Sequence, residues 1–264
     1  MHSPEVETVP PYSALAEVYD EVMRDVSYGV WTEYIDELIC KHHPNPEDLM
    51  ELACGTGTMA LEMSLLDHYN ILATDRSEHM IDAARKKGAA IGTSVTFKVM
   101  DVLHINVERL FDAVYMVFDS VNYLHRSSEI LELHRQVLRH LKPGGLFLFD
   151  FTTPRNSQKA IQYLNNVSGE TESYKYTRVS QYDHDRRIHT NKFVITETDD
   201  VLGEEASAVP RRYREVHQQR IYTLEEMREI LSETDFHVLE TYDGFTTKPA
   251  GKKSLRVTVV LQSP

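Results

Sequence analysis

Cysteine is almost missing from this chain: 264 residues carry two, Cys40 and Cys54. One falls in an expected helix and the other beside a glycine turn, which argues against a disulfide framework, and two thiols at that spacing do not make a metal site. Long apolar runs are missing as well, so no segment is expected to cross a bilayer. The opening MHSPEVETVPPY has neither the basic nor the apolar region of a secretion signal, so a cytoplasmic protein with no membrane partner is expected. Blocks of Lys and Arg are lacking too. With 28 basic against 41 acidic residues the net charge is -13, and no stretch reads as a phosphate-tracking groove, so nucleic acid is not an expected partner. The nearest thing to a basic stripe, Arg211, Arg212 and Arg214, reads as a solvated loop face. Internal repeats and low-complexity segments are absent.

What is present is an ordinary globular composition, 41% hydrophobic and 26% charged, enough for one sizeable α/β core with an insertion. Residues 1–11 read as a frayed tail. Trp31, Tyr34, Ile35, Leu38 and Ile39 recur at helical spacing and predict a helix over about 30–42, ended by Pro44 and Pro46. Strand-like and helix-like segments then alternate: 48–53, helix 58–67, 71–74, helix 78–87, 95–99, 112–117, helix 128–140 and 145–151. Such alternation argues for a parallel sheet with helices on both faces. Ser77 is placed to cap the second of these helices and Gly88 to close it, while Pro143, Gly144 and Gly145 read as a turn. After Pro154 the pattern changes to antiparallel strands at 172–182, 188–197 and 212–221. Thr223 and Glu226 have capping-box spacing for helix 224–234, and strands 236–242 and 255–261 finish the chain.

The central chemical signal is DLMELACGTGTMALEM at 48–63, a strand, a glycine turn and a helix. Glycines at 55 and 57 let the backbone turn sharply and approach a ligand, with free helix N–H groups behind them. Gly55, Gly57 and Ala60 also fit the G-x-G-x-x-A spacing of dinucleotide sites, so the turn alone leaves a nicotinamide-dependent oxidoreductase as an alternative. Glu51 tips the balance, because a carboxylate at the strand end repels a pyrophosphate but not a sulfonium amino acid. Asp75 ends the second strand, placed to accept from both ribose hydroxyls, and Asp101 ends the third, placed for an adenine amino group, with Val102 and Met80 to sandwich the ring.

The sequence here resembles the class I S-adenosylmethionine-dependent methyltransferases over about residues 12–262. The resemblance rests on ELACGTGT (51–58), ATDRS (73–77), MDV (100–102), FDAVYMVFDSVNYL (111–124) and LKPGGLFLFDF (141–151), five motifs in the right order on the right elements. It implies that Glu51, Gly55 and Gly57 hold the methionine part of S-adenosylmethionine, Asp75 the ribose and Asp101 the adenine end. Ala53, Arg76, Met80, Val102, Phe118 and Tyr19 complete the expected cofactor set. YSALAEVYDEVM (12–23) and EVHQQRIYTLEEMREIL (215–231) look like segments of amino-sugar N-methyltransferases and glycine N-methyltransferase, which implies a small-molecule acceptor methylated on nitrogen or oxygen. The expected fold is a Rossmann-like seven-stranded mixed sheet with helices on both faces and an antiparallel β insertion after the fifth strand. Residues 1–154 then form the N-terminal helices and cofactor-binding part, 155–221 the cap, and 222–264 the last helix and two strands. A homodimer and a non-catalytic S-adenosylmethionine-binding role both stay open.

Tyr12 and Tyr19 either close over the cofactor or share one packed helical face. Phe118, Asp119, Asn122 and Tyr123 follow the fourth strand, where a parallel sheet presents ligands, although Asp119 also suits a turn cap. His184, His189 and His217 do not form a metal motif, and isolated strand histidines usually face solvent or pair locally. Tyr123, His189 and His217 are the candidates for a catalytic base, and no metal is expected.

Overall fold

The computed structural model describes residues 6–198 and 210–264. Two sheets organise these residues. The larger has seven strands, β2 (Asp48–Leu52), β3 (Asn70–Asp75), β4 (Thr96–Val99), β5 (Phe111–Met116), β6 (Leu141–Thr152), β11 (His237–Asp243) and β12 (Arg256–Gln262), in the order β11-β12-β6-β5-β2-β3-β4. Strands β2 to β6 run parallel and β12 lies antiparallel to β6. Strand β5 is buried at every position, as a strand covered on both faces must be, and its sequence FDAVYM is correspondingly apolar. Helices α2 (Tyr28–His42), α3 (Thr58–Ser64), α4 (Glu78–Ile91), α5 (Ser127–Leu138) and α7 (Leu224–Leu231) flank this sheet. Two apolar cores result, one built around Phe111, Phe147, Phe149 and Ile130, the other around Ile35, Leu49, Met59 and Tyr115. From β2 the chain winds outward through β3 and β4, then returns to β5 on the other side, so a crevice opens at the carboxyl ends of β2 and β5.

The second sheet, in the order β1-β10-β9-β8-β7, comprises β1 (Val6–Thr8), β7 (Val167–Glu170), β8 (Tyr174–Asp183), β9 (Ile188–Glu197) and β10 (Arg212–Arg220). Alternate residues of β8, β9 and β10 are buried, which leaves one face on the molecule and one in solvent.

Several expectations from the sequence are corrected. Val6–Thr8 are not frayed but pair parallel to Arg212–Arg214, so the second sheet draws its edge strand from outside 155–221. Residues 1–5 of that expected tail, and 199–209 of the expected cap, lie outside the described residues. Gly88 sits within α4, and Gly92, at φ 68°, is the residue that closes the helix. Pro143 to Gly145 form an irregularity inside β6 rather than a turn before it, since the register slips between Phe111↔Leu141 and Ala113↔Leu146. The change of pattern after Pro154 begins with a helix and not with a strand: Pro154 opens α6 (Pro154–Leu164), capped by Thr153. Arg212 and Arg214 stand on β10 rather than in a loop, and Arg211 pairs with the buried Glu197 at 2.7 Å. Ser77 and the Thr223–Glu226 box cap their helices as expected. Among the described residues no helix is long and apolar enough to cross a membrane.

Candidate functional site

Two cavities meet at the carboxyl ends of the parallel strands. The first, of about 180 Å³, is lined by Tyr19, Glu51, Ala53, Gly55, Asp75, Arg76, Asp101, Val102, Phe118 and Tyr123 among others. All ten belong to the residues singled out from the sequence. The glycine turn that floors it needs left-handed backbone at Ala53 (φ 54°), Gly55 (φ 54°) and Gly57 (φ 76°). A non-glycine residue held there is strained, a feature that recurs at ligand sites.

Asp75 organises this turn. Its carboxylate accepts from Gly55 N at 3.0 Å and Ser77 N at 2.8 Å, and its spare lone pairs are left for a ligand. Glu51, 2% exposed, accepts from the Tyr115 hydroxyl at 3.3 Å. Burial, reinforced by the Asp75 charge, pushes its carboxyl up to about 8. A buried acid with no cationic partner is a site for an incoming cation. Among the described residues Glu51, Asp75, Asp101 and Glu129 face this cavity against Arg76 alone, so its described lining is net acidic. That suits a sulfonium amino acid and disfavours a pyrophosphate. Burial, reinforced by the neighbouring Glu51 and Asp75 carboxylates, holds the Cys54 thiol far above its usual range and leaves it no nucleophilic part. The turn therefore fits S-adenosylmethionine.

Two expected cofactor residues stand elsewhere. Met80 is fully buried in the core under α4. Gly57 faces away: a Cβ there would lie 2.6 Å from the Phe97 ring and 2.9 Å from Ala84 Cβ, so the need for glycine comes from its left-handed backbone and from helix–strand packing. Gly57→Ala is expected to lower stability by about 1–3 kcal/mol through overpacking and left-handed backbone strain while the folded fraction keeps its cofactor affinity. A melting curve paired with calorimetry on the same sample checks this.

The second cavity, about 380 Å³, lies between the cap sheet and the first, and shares Tyr12, Tyr19, Phe118 and Tyr123 with it. His189 and His217 both line it and at 3% and 2% exposed neither faces solvent, while His217 pairs locally with Glu215, the other arrangement expected of strand histidines. His184, on the turn after β8, is the exposed one. The inward faces of the three long cap strands bring polar residues into rows: Ser180, Asn191 and His217 pair across the sheet, as do Arg178, Phe193 and Glu215. Buried polar rows of this kind mark a site, since an ordinary cap would be apolar there.

From His217 a chain of hydrogen bonds runs to both cavities. Its Nε2 lies 2.9 Å from the fully buried Glu215 carboxylate and its Nδ1 3.3 Å from the Tyr123 hydroxyl, while Tyr12 donates to Tyr123 at 2.6 Å. With Glu215 as acceptor, Nε2 carries the proton and Nδ1 is free to accept from Tyr123. Burial pushes the Tyr123 phenol up to about 12, so it stays protonated. Glu215 also receives the backbone N–H groups of Tyr12 (2.7 Å) and Leu15 (2.8 Å). It thereby ties the N-terminal segment over the first cavity, so Tyr12 meets the cavities from a turn (φ 66°) and Tyr19 from the start of helix α1 (Tyr19–Val22), not both from one helical face.

Phe118 and Asp119 also hold left-handed backbone, at φ 62° and 60°. Asp119 does not cap the following turn with its side chain. It pairs with Arg256 at 2.7 Å, and Arg256 pairs in turn with Asp150. Arg256 lies over the Trp31 ring, against which Phe118 stacks. Asn122 is structural: it donates to Arg220 O at 2.7 Å and accepts from Thr152 N at 3.0 Å. Among the described residues no group of three His, Cys, Asp or Glu is arranged to hold a metal.

Comparison with known proteins follows the same lines. Residues 49–145 match the family described as Methyltransferase domain. YqeM of Bacillus subtilis (strain 168), named as a candidate methyltransferase, is 29% identical over 247 residues, 91% of this chain and 93% of that protein. A dTDP-3-amino-3,4,6-trideoxy-alpha-D-glucopyranose N,N-dimethyltransferase of Streptomyces venezuelae is 30% identical over 137 residues, covering 51% of this chain and 56% of its own length. The crystal structure of an S-adenosylmethionine-dependent methyltransferase from Clostridium acetobutylicum ATCC 824 superposes with a TM-score of 0.75 at 26% identity, covering 96% of this chain and 98% of that one.

Proposed function

We propose that this chain, which belongs to the class I S-adenosylmethionine-dependent methyltransferases, transfers the methyl group to an amino nitrogen of a small molecule. The observation that carries this reading is the pairing of an acidic cavity, suited to a cationic cofactor, with a second chamber that shares a wall with it. The name of the Streptomyces venezuelae relative supports nitrogen as the acceptor atom. Volumes of this size suit small ligands.

When bound, S-adenosylmethionine supplies a methyl group already activated by its sulfonium, so the protein needs no nucleophile of its own. Glu51 would hold the amino end of the cofactor, Asp75 the ribose, and Asp101 with Val102 the adenine end. Tyr12, Tyr19 and Phe118, which wall both cavities, align the acceptor and exclude water. An amine that arrives protonated has no lone pair to offer. Its proton passes to the Tyr123 oxygen as the Tyr123 proton moves to His217 Nδ1, and Glu215 stabilises the imidazolium that results. Tyr123 is then the catalytic residue, and Glu215 a positioning residue behind His217.

Binding of a cationic cofactor should draw the proton from Glu51. In the free protein that carboxyl, raised to about 8, is protonated at pH 7, and the charged form gains its partner only on binding. Affinity is therefore expected to rise with pH toward 8, with about one proton released per cofactor bound near pH 7. Calorimetry in two buffers of different ionisation enthalpy measures that proton, and Glu51→Gln should remove it.

The function itself is tested by an acceptor screen that reads out S-adenosylhomocysteine, with the product identified by mass. A methylated amine supports the proposal; turnover confined to hydroxyl or thiol acceptors rejects nitrogen.

A further inference from the structure

Among the described residues the second cavity contains a charged side chain with no ion-pair partner. Three permanently charged residues among those described line it, Asp119, Arg178 and Arg256, and Arg256 is paired with Asp119 and with Asp150 behind it. Arg178, projecting from the inward face of β8, has no carboxylate within ion-pair distance among the described residues. Its Nε and Nη2 share one acceptor, the Asn191 side-chain oxygen, at 3.1 and 2.9 Å. That oxygen also receives the Ser180 hydroxyl, so a single neutral carbonyl serves three donors. The guanidinium otherwise lies 5.4 Å over the Phe193 ring, beside the neutral phenols of Tyr12 and Tyr123. A guanidinium brings five N–H donors in a fixed fork, and most of that capacity is unspent here. Burial lowers its affinity for its own proton, which measures the cost of holding the charge in this place.

A half-buried guanidinium without an ionic partner is a place where an anionic ligand can complete the pair. The described linings differ: the first has four acids against Arg76, whereas the second has Arg178 and Arg256 against Asp119, and the fully buried Asp150 and Glu215 behind that lining are engaged by Arg256 and by His217, not by Arg178. Beyond the Ser180–Asn191 pair on the same inward face stands His189, whose Nε2 is buried without a hydrogen-bond partner and whose ring is kept neutral by burial and by the Arg178 charge. It offers a second polar contact on the same side of the cavity.

We propose that the methyl acceptor carries an anionic group, a carboxylate or a phosphate, which the Arg178 fork binds so that the acceptor's amino end points toward the wall of Tyr12, Phe118 and Tyr123. The inference rests on the two-cavity reading above and narrows its substrate class to amines bearing an acid group. It also gives the cap a means of selection, because a neutral amine of the same size would leave Arg178 unpaired.

The test uses the full chain saturated with S-adenosylhomocysteine, whose binding shows that the fold and the cofactor reading hold. Sodium acetate and sodium phosphate are titrated against sodium chloride at matched ionic strength, following the Arg178 side-chain N–H signals by NMR, assigned from their loss in Arg178→Gln. A saturable shift with acetate or phosphate and not with chloride is expected, and the tighter ion separates a carboxylate from a phosphate acceptor. By calorimetry Arg178→Gln should bind that ion about tenfold more weakly or worse and keep its S-adenosylhomocysteine affinity within about twofold. No saturable shift with either ion, or unchanged ion affinity in Arg178→Gln, overturns the proposal and leaves the cofactor reading standing. Failure of the unsubstituted chain to bind S-adenosylhomocysteine would instead overturn the reading beneath it.

Discussion

Asp75→Ala is expected to weaken S-adenosylmethionine binding about ten- to a hundredfold, the loss of about 1.5–3 kcal/mol that goes with hydrogen bonds to a charged acceptor. Two effects add. The ribose hydroxyls lose their acceptor, and the Gly55 and Ser77 N–H groups lose theirs, so the turn beneath the cofactor loosens as well. Asp75→Asn separates these effects poorly, because whichever way the amide turns it sets an NH₂ against one of the two N–H donors. Ser77→Ala is the better control: it leaves the Ser77 N–H bond to Asp75 in place and removes only the hydroxyl, which caps α4 and donates to Tyr12 O at 2.7 Å. Calorimetry at constant pH gives the affinities, and circular dichroism of the free protein shows whether the sheet survives. Unchanged affinity in Asp75→Ala would remove the ribose assignment, whatever the melting temperature does.

How much of this was legible in the sequence depends on which kind of local signal each element carries. The parallel sheet was legible because its strands are continuous apolar runs ended by ligand-facing acids, as in LMEL before the glycine turn and ILATD before Ser77. The cap strands were legible from their partial alternation, and their expected bounds differ from the observed ones by a residue or two. What failed was the use of that alternation. Arg178 and Ser180, His189 and Asn191, and Glu215 and His217 are each two apart, which puts each pair on one face of its strand. Which face is buried, and that three strands align them into rows, follows from long-range register that no single segment encodes. Glu215 and Arg178 were missed for that reason, and so were β1, a three-residue edge, and the cap's hold on the N-terminal segment. Gly57 shows the opposite error. A glycine inside a ligand motif was credited to the ligand, whereas its space is taken by Phe97 and Ala84, 40 and 27 residues further on.

The relay through Tyr123 carries the largest expected effect. Tyr123→Phe and His217→Gln should each lower turnover by about 10²–10⁴-fold on an amine acceptor, with cofactor affinity unchanged. Glu215→Gln needs a different readout, because Glu215 also holds the Tyr12 and Leu15 amides and its replacement disturbs the wall of the cofactor cavity. The pH profile supplies that readout. An amine sheds its proton unaided once the pH approaches its own pKa, so the rate deficit of His217→Gln should shrink steadily as pH rises and nearly vanish where the acceptor is neutral. A variant damaged only in alignment keeps the same deficit at every pH, since geometry does not titrate. Glu215→Gln should follow His217→Gln if it acts through the imidazolium, and should show a flat deficit with weakened cofactor binding if it acts only as a tie. His189→Gln, outside the chain of hydrogen bonds, should leave the shape of the profile as it is. Three deficits below tenfold, none of them changing with pH, would leave alignment by the shared aromatic wall as the whole of the protein's contribution and remove the relay.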